Sequence, residues 1–127
     1  MIKKIAVLVL AAVGVLAVSS TTYAHHGSAA YDMSKTVTVT GTVTGFDFVN
    51  PHVMISMDAK NDAGQVEHWQ GELTSPNHLA RAGWTKSTLK PGDQITLTGG
   101  AAKSGSTTMW IRKIVKNGEE LQLGAGE

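Results

Sequence analysis

The 127-residue sequence contains no cysteine. This absence excludes disulfide bonds, a metal site built from thiolates and an anchor attached through a lipid-modified cysteine. The folded state must therefore depend on a hydrophobic core, which a domain of this length is able to form.

The sequence also lacks an excess of basic residues. It has 11 Lys and Arg against 10 Asp and Glu, and two of the basic residues, Lys3 and Lys4, lie in an N-terminal leader. Without the leader the net charge is about −1, and no basic stripe remains to bind a phosphate backbone. We therefore expect no nucleic-acid partner.

Recognisable catalytic spacings are missing as well. Ser, His and Asp are all present, but no nucleophile elbow holds them, and the glycines lie at turns rather than in a phosphate-binding loop. We therefore do not predict an enzyme. An oxidative copper enzyme with an N-terminal histidine ligand is the alternative.

The first 24 residues have the pattern of a secretory signal peptide. Two lysines precede an apolar run over residues 5–18, and small residues follow up to Ala24. We expect cleavage after Ala24, a mature chain of residues 25–127, and a periplasmic or secreted location without membrane attachment. An uncleaved anchor is the alternative, but the apolar run is short for a membrane span.

Residues 37–58 read as two long strands joined by a corner at Asn50-Pro51-His52. Valine and threonine alternate up to Gly45, and the alternation then changes parity, which requires a bulge or bend. Proline ends the first strand. Residues 53–58 alternate again, so that Met54 and Met57 lie on opposite faces.

The rest of the chain predicts further strands and one helix. Ser75, Pro76 and Gly83 supply a cap, a first-turn proline and a C-terminal glycine for a helix over residues 75–83. Asn117-Gly118 is a strong hairpin signal. The predicted strands cover residues 66–73, 94–98, 107–116 and 120–123.

This order predicts a mostly β fold: a five-stranded OB-fold-like barrel, β-β-β-α-β-β, with a C-terminal hairpin. An open sandwich and an SH3-like barrel are the alternatives. We divide the chain into a signal peptide (1–24), an N-terminal arm (25–36), the barrel domain (37–123) and a tail (124–127).

Several segments carry a family pattern: the Ala-His-His after the leader, GTVTGFDFVNPHV, SPNHLARAGW and LKPGDQITLTG. Over about residues 24–123 the chain resembles a family of small exported bacterial proteins known only as a domain of unknown function. It also resembles periplasmic bacterial OB-fold proteins. The resemblance brings no activity. The family residues found here are His25, His26, Asn50, Pro51, His52, Trp69, Ser75, Pro76, Gly83, Trp84, Pro91 and Gly92.

The histidines suggest a copper site. Cleavage after Ala24 would give His25 a free amine and an imidazole, and His52 is our first choice for a third nitrogen ligand; His26 could instead close a local chelate. Such nitrogen ligands favour copper over zinc. Asp47 and Asn50 are candidates to orient the His52 ring. Thioethers could add ligation of Cu(I), from Met33, Met54, Met57 and Met109.

The alternative function is a non-metal binding module. The barrel face would then bind a small molecule, a glycan or an envelope protein, with Trp110 or Trp84 as a stacking platform. Its candidate ligand-binding residues are His68, Trp69, His78, Met54 and Trp110. Each histidine also has a simpler interpretation, as part of a flexible start, a turn, a strand or an exposed helix position.

Overall fold

Six strands and one short α-helix form the described part of the chain, residues 28–124, in a computed structural model. The predictions for the signal peptide, its cleavage, His25 and His26 lie outside the described residues. Within residues 28–124, no helix is long and apolar enough to cross a membrane. The elements are a 3₁₀ helix (Ser28–Ala30), β1 (Tyr31–Asp47), β2 (Met54–Lys60), β3 (Val66–Glu72), α1 (Pro76–Ala80), β4 (Gln94–Ala102), β5 (Thr108–Lys116) and β6 (Glu119–Glu120).

The strand pairings close into a ring. β1 pairs antiparallel with β4 along its first part and with β2 along its second part, and β2 pairs antiparallel with β3. β4 pairs antiparallel with β5, and a parallel pairing between β3 and β5 completes the circuit. The mostly β prediction and the single short helix between β3 and β4 are confirmed.

The long first strand contains the predicted irregularity. The β1–β2 register shifts between Val43 and Gly45, where the sequence alternation changes parity. The strand begins at Tyr31, six residues before the predicted start at Val37, because Tyr31 pairs with Ala102 of β4. A second register shift between Asp32 and Thr36 disrupts the alternation there, so the sequence pattern does not reveal this part of the strand.

The core lies inside the ring. In β5 strict alternation predicts that Met109, Ile111 and Val115 share a face, but Ile114 is buried and Val115 is half-buried, because the β4–β5 register shifts between Thr98 and Gly99. In β2 the buried positions alternate with half-buried ones, and Met57 is buried whereas Met54 is half-buried. At the β3–β5 pairing the two strands approach closely, since a Cβ on Gly71 would clash with the side chain of Ile111. The buried core comprises Val39, Val43, Val53, Ile55, Met57, Ala59, Leu73, Leu79, Trp84, Leu89, Ile95, Leu97, Met109, Ile111 and Ile114.

Helix α1, Pro76–Ala80, is shorter than the predicted helix over residues 75–83, but the predicted cap, proline and glycine lie at or near its ends. The Ser75 hydroxyl accepts a hydrogen bond from the backbone N–H of His78, Pro76 is the first helical residue, and Gly83 has a φ of 93°. Trp84 is only 4% exposed and docks on the core, so the prediction of Trp84 as a stacking platform is wrong.

The C-terminal segment folds back along the ring after the predicted turn. Asn117 and Gly118 both have positive φ, as a two-residue hairpin turn requires. β6 is shorter than predicted. The segment after it is held by a hydrogen bond from the backbone N–H of Leu121 to the Ile114 carbonyl, and by one from the Trp84 indole to the Gln122 carbonyl at 2.7 Å.

Candidate functional site

His52 lies in the loop between β1 and β2, directly after Pro51. The backbone after it is fixed because the Val53 N–H donates to the Thr74 carbonyl and the Val53 carbonyl accepts from the Leu73 N–H. The ring nitrogen Nδ1 of His52 lies 2.6 Å from a carboxylate oxygen of Glu72. The His52 side chain is 26% exposed and that of Glu72 is 16% exposed.

Glu72 is the last residue of β3, and strand register places it between β2 and β5. Met54 of β2 is its partner on one side and Trp110 of β5 is its partner on the other. The second carboxylate oxygen, Oε2, accepts a 2.6 Å hydrogen bond from the Tyr31 hydroxyl. One carboxylate therefore holds His52 and the first residue of β1 at the same time.

Trp110 packs beside both side chains that bond to Glu72. Its ring centroid lies 5.6 Å from that of His52 with an edge-on geometry, and 6.1 Å from that of Tyr31 with a tilted one. Both separations are within the usual range for packed aromatic rings. We call His52, Glu72, Tyr31 and Trp110 the histidine cluster.

The Tyr31 hydroxyl is a permanent donor in this cluster. Burial raises its pKa well above the usual value, and the Glu72 carboxylate raises the pKa further by hydrogen bonding and by its charge, against a smaller opposing effect of Thr108. Tyr31 therefore stays protonated at neutral pH and donates to Glu72.

The residue that orients His52 differs from the predicted ones. Asp47 and Asn50 are both exposed, and it is Glu72 that bonds to the ring, so the prediction of Asp47 and Asn50 is corrected. Sequence reasoning missed Glu72 and Tyr31. The alternation in β3 puts Glu72 on the outward face with His68 and Gln70, but only strand register brings it to His52.

The other predicted site residues do not assemble around His52. His68 is 84% exposed and bonds through Nδ1 to Asp58 at 2.5 Å. Trp69 is half-buried and packs against the core, which is the role expected from its inward parity. His78 is exposed on α1. Met54 and Trp110, by contrast, both flank Glu72.

The described residues by themselves hold few metal ligands in one place. Across residues 28–124, no group of three or more His, Asp or Glu side chains is arranged to hold a metal ion. His25 and His26, the other predicted ligands, lie outside this range.

A cavity of about 370 Å³ lies next to the histidine cluster and shares Trp110 with it. Its walls come from the end of β3, from α1, from β5 and from the C-terminal segment. The lining residues are Leu73, Thr74, His78, Trp110, Ile111, Arg112 and Leu123. The volume is within the range of small-molecule sites.

Comparison with known proteins gives a family and no activity. No curated protein matches the chain. The sequence pattern of DUF6152, a family of unknown function, matches residues 11–118, which is most of the chain. The protein therefore belongs to this family of unknown function, as the resemblance of its motifs predicted.

Proposed function

We propose that the protein is an exported, periplasmic copper-binding protein. The ligands are the amine and ring of His25, at the start of the processed chain, together with His52, and His26 is the alternative local ligand. The observation that carries the proposal is the Glu72 carboxylate shared between His52 and Tyr31.

The carboxylate–histidine pair is typical of metal sites. A histidine ligand usually gives its second ring nitrogen to a carboxylate or carbonyl, which fixes the ring and makes it a better ligand. In His52 the nitrogen held in this way is Nδ1, which leaves Nε2 for a metal. The ring is partly exposed, so a ligand from elsewhere in the chain has access to it.

The position of Tyr31 supports a contribution from the arm. Tyr31 begins β1 and donates to the same carboxylate as His52, and His25 precedes it by six residues. Three of these residues form the 3₁₀ helix Ser28–Ala30 and span about 6 Å, and the other three add at most about 10 Å. The proposal requires the amine and ring of His25 to reach His52 within this span of about 16 Å.

The ligand chemistry favours copper. An amine and two imidazoles are nitrogen donors, and the chain has no cysteine to favour zinc or a cluster. Nitrogen donors in a near-planar arrangement suit Cu(II). Met54, which pairs with Glu72 on the neighbouring strand, is our candidate for a thioether ligand to Cu(I).

We also propose that the ring is an OB-fold-like barrel. Its strands follow one another around the circuit as β1, β2, β3, β5 and β4, and α1 lies between β3 and β4. This order and helix position match the arrangement expected of a five-stranded Greek-key barrel. The histidine cluster then lies where β3 and β5 close the barrel.

Titration of the processed protein with Cu(II), followed by EPR, tests the proposal. Intact-mass measurement first establishes that the chain starts at His25. We expect one tight site, which one extra residue before His25 abolishes. His52→Gln should weaken binding strongly, and Glu72→Gln should weaken it by about 10- to 100-fold.

His68→Gln is the matched control, because His68 also bonds to a carboxylate but lies away from the cluster. It should leave the EPR spectrum and the affinity unchanged. Equal loss in His52→Gln and His68→Gln, or equal binding by the extended and processed chains, would contradict the proposal.

A binding module is the second candidate function, and the cavity beside Trp110 favours it. In this case the ligand is a small molecule. A glycan or an envelope protein as partner stays a prediction of the sequence.

A further inference from the structure

We infer that residues 37–41 of β1 form an open strand edge, to which an extended peptide of a partner protein adds as a further antiparallel strand. This open edge faces a cleft between β1 and the hairpin formed by β2 and β3. It contains no residue of the histidine cluster, so the inference does not rest on the copper proposal.

Strand β1 is paired on one side only along this segment. Its ladder with β2 ends at Thr42, which pairs with Asp58, whereas its ladder with β4 continues to Tyr31. In the part of the chain that the structure describes, no strand pairs with residues 37–41 on the side away from β4. This side of β1 is therefore a free strand edge.

Thr38 and Thr40 turn their backbone N–H and C=O groups towards the cleft. The backbone of Val43 bonds on the other side, since its N–H donates to the carbonyl of Asp93, just before β4, at 2.8 Å. Backbone groups of successive strand residues face opposite sides, and the β1–β4 register has no shift after Thr36. The odd-numbered residues therefore bond to β4, and Thr38 and Thr40 face away from it.

The threonine side chains support this assignment. Thr38 lies opposite Thr98 and Thr40 opposite Thr96, and the two hydroxyl pairs are separated by 3.1 and 2.8 Å. In an antiparallel ladder, side chains are closest in the pairs that exchange no backbone hydrogen bonds. The backbone groups of Thr38 and Thr40 are thus free of β4 and face the position of an added strand.

The open edge lacks the features by which proteins usually prevent pairing at a strand edge. Those features are charged side chains, proline and bulges. Residues 37–41 read Val-Thr-Val-Thr-Gly, without charge or proline, and their register with β4 is regular. β-branched residues also favour the extended conformation. The segment is therefore a suitable template for a partner strand.

Two cavities border the open edge, one on each face of the sheet. The outer cavity has a volume of about 430 Å³ and the inner one about 340 Å³, and Thr40, Ala59 and Lys60 line both. Ala59 and Lys60 belong to the β2–β3 hairpin, which forms the opposite wall. A cleft with two walls fits a single extended segment better than a second folded ring.

The two linings select an alternating sequence for the peptide, because successive side chains of a strand point to opposite faces. The inner cavity offers apolar surface, and the outer cavity offers hydroxyl and amide groups. The apolar residues are Val37, Val39 and Trp69, and the polar ones are Thr40, Thr42 and Gln94.

The charges at the cleft favour a basic peptide. Asp62 and Glu67 line the inner cavity together with a single cation, Lys60. Neither carboxylate forms an ion pair with another of the described residues, whereas Asp58 on the outer side already bonds to His68. Opposite charges across an interface speed association and select the partner. We therefore expect lysine or arginine at the ends of the bound segment.

The probe is a capped heptapeptide in which valine and threonine alternate between two terminal lysines. We would add it to processed protein without copper and follow amide hydrogen exchange by NMR. In the free protein the amides of Thr38 and Thr40 should exchange faster than those of Val37 and Val39, which bond to β4. Saturating peptide should slow exchange at Thr38 and Thr40 about tenfold or more.

Methylation of the peptide backbone tests whether main-chain hydrogen bonds carry the binding. In an antiparallel pair on this edge, the threonines of the peptide bond to β1 and the valines point their N–H groups away. N-methylation of the threonines should weaken binding about tenfold or more, and N-methylation of the valines should have a much smaller effect. Glutamates in place of the lysines should weaken binding several-fold at low salt.

Thr40→Pro and Thr40→Val are a matched pair of variants. Both lose the hydroxyl that meets Thr96, but only the proline loses the N–H that faces the cleft. Proline is tolerated where its missing N–H lies on a free strand edge, and thermal unfolding checks that the fold is kept. Thr40→Pro should weaken peptide binding about tenfold or more, and Thr40→Val should retain it.

Equal binding of the two methylated peptides, equal affinity of Thr40→Pro and Thr40→Val, or slow exchange at Thr38 and Thr40 in the free protein would overturn the inference. Dimerisation of the free protein that protects the same amides would also overturn it, since a second copy would then occupy the edge. The methylated peptides act on the native chain, so their result stands even if Thr40→Pro does not fold. Because copper is absent, failure here leaves the copper proposal untouched.

Discussion

Two histidine–carboxylate pairs on the outside of the ring have the same chemistry but differ in burial and in the number of hydrogen-bond partners. In each pair the ring nitrogen Nδ1 meets a carboxylate oxygen, at 2.6 Å for His52–Glu72 and at 2.5 Å for His68–Asp58. The side chains of the first pair are 26% and 16% exposed, and those of the second are 84% and 38% exposed.

This difference in burial indicates that the surrounding structure holds His52–Glu72 in one geometry and leaves His68–Asp58 largely in solvent. The Glu72 carboxylate has a second hydrogen-bond partner, Tyr31, and is only 16% exposed, whereas the Asp58 carboxylate is 38% exposed and bonds to a His68 ring that lies mostly in solvent. Exposed ion pairs contribute little, because water screens them and the side chains lose conformational freedom. A half-buried carboxylate must keep its partners, since an unsatisfied charge there is costly. The contrast predicts effects of very different size.

Loss of the Glu72 charge should have the largest effect. Glu72→Gln weakens the hydrogen bonds from both Tyr31 and His52, so we expect the free energy of unfolding to fall by about 1–3 kcal/mol. Urea denaturation at neutral pH measures this. A fall no larger than that of Asp58→Asn would remove the distinction between the two pairs.

Tyr31→Phe should have an intermediate effect and a pH signature. It removes one hydrogen bond, so we expect a loss of about 0.5–1.5 kcal/mol at neutral pH. Burial raises the pKa of Tyr31 in the folded state, so its contribution is complete below the unfolded value of about 10 and decreases as the pH rises above it.

Denaturation at several pH values between about 8 and 11, a range that brackets the ordinary tyrosine pKa, measures this dependence. The native chain should lose stability more steeply than Tyr31→Phe towards the alkaline end. Lysines titrate in the same range in both proteins and cancel in the comparison. Parallel curves would show that Tyr31 is not held as a protonated donor.

Much of this fold is predictable from the sequence because local rules determine it. Alternation gives the inward face of β2, Gly45 marks the parity change in β1, and Ser75 marks the start of α1. The first residues of β1 are not predictable in this way, since the register shift after Asp32 hides their period.

The site is less predictable than the fold. His52 is visible as a histidine beside a proline-fixed corner and His68 as a histidine on a strand, but the sequence does not show which carboxylate bonds to either ring. What separates them is Glu72, twenty residues from His52, and Tyr31, forty-one residues from Glu72. These contacts depend on how β3 pairs with β2 and β5, and this register is a property of the whole ring.

The exposed pair should give the smallest effect. In Asp58→Asn the partner of His68 loses its charge, but both groups keep their contact with water. We therefore expect a change of less than about 0.5 kcal/mol in the free energy of unfolding, and still less in high salt. Denaturation curves with and without added salt measure it. A loss above about 1 kcal/mol, comparable with that of Tyr31→Phe, would contradict this. It would mean that the contribution of these carboxylates to the free energy of unfolding comes from cross-strand pairing and not from burial.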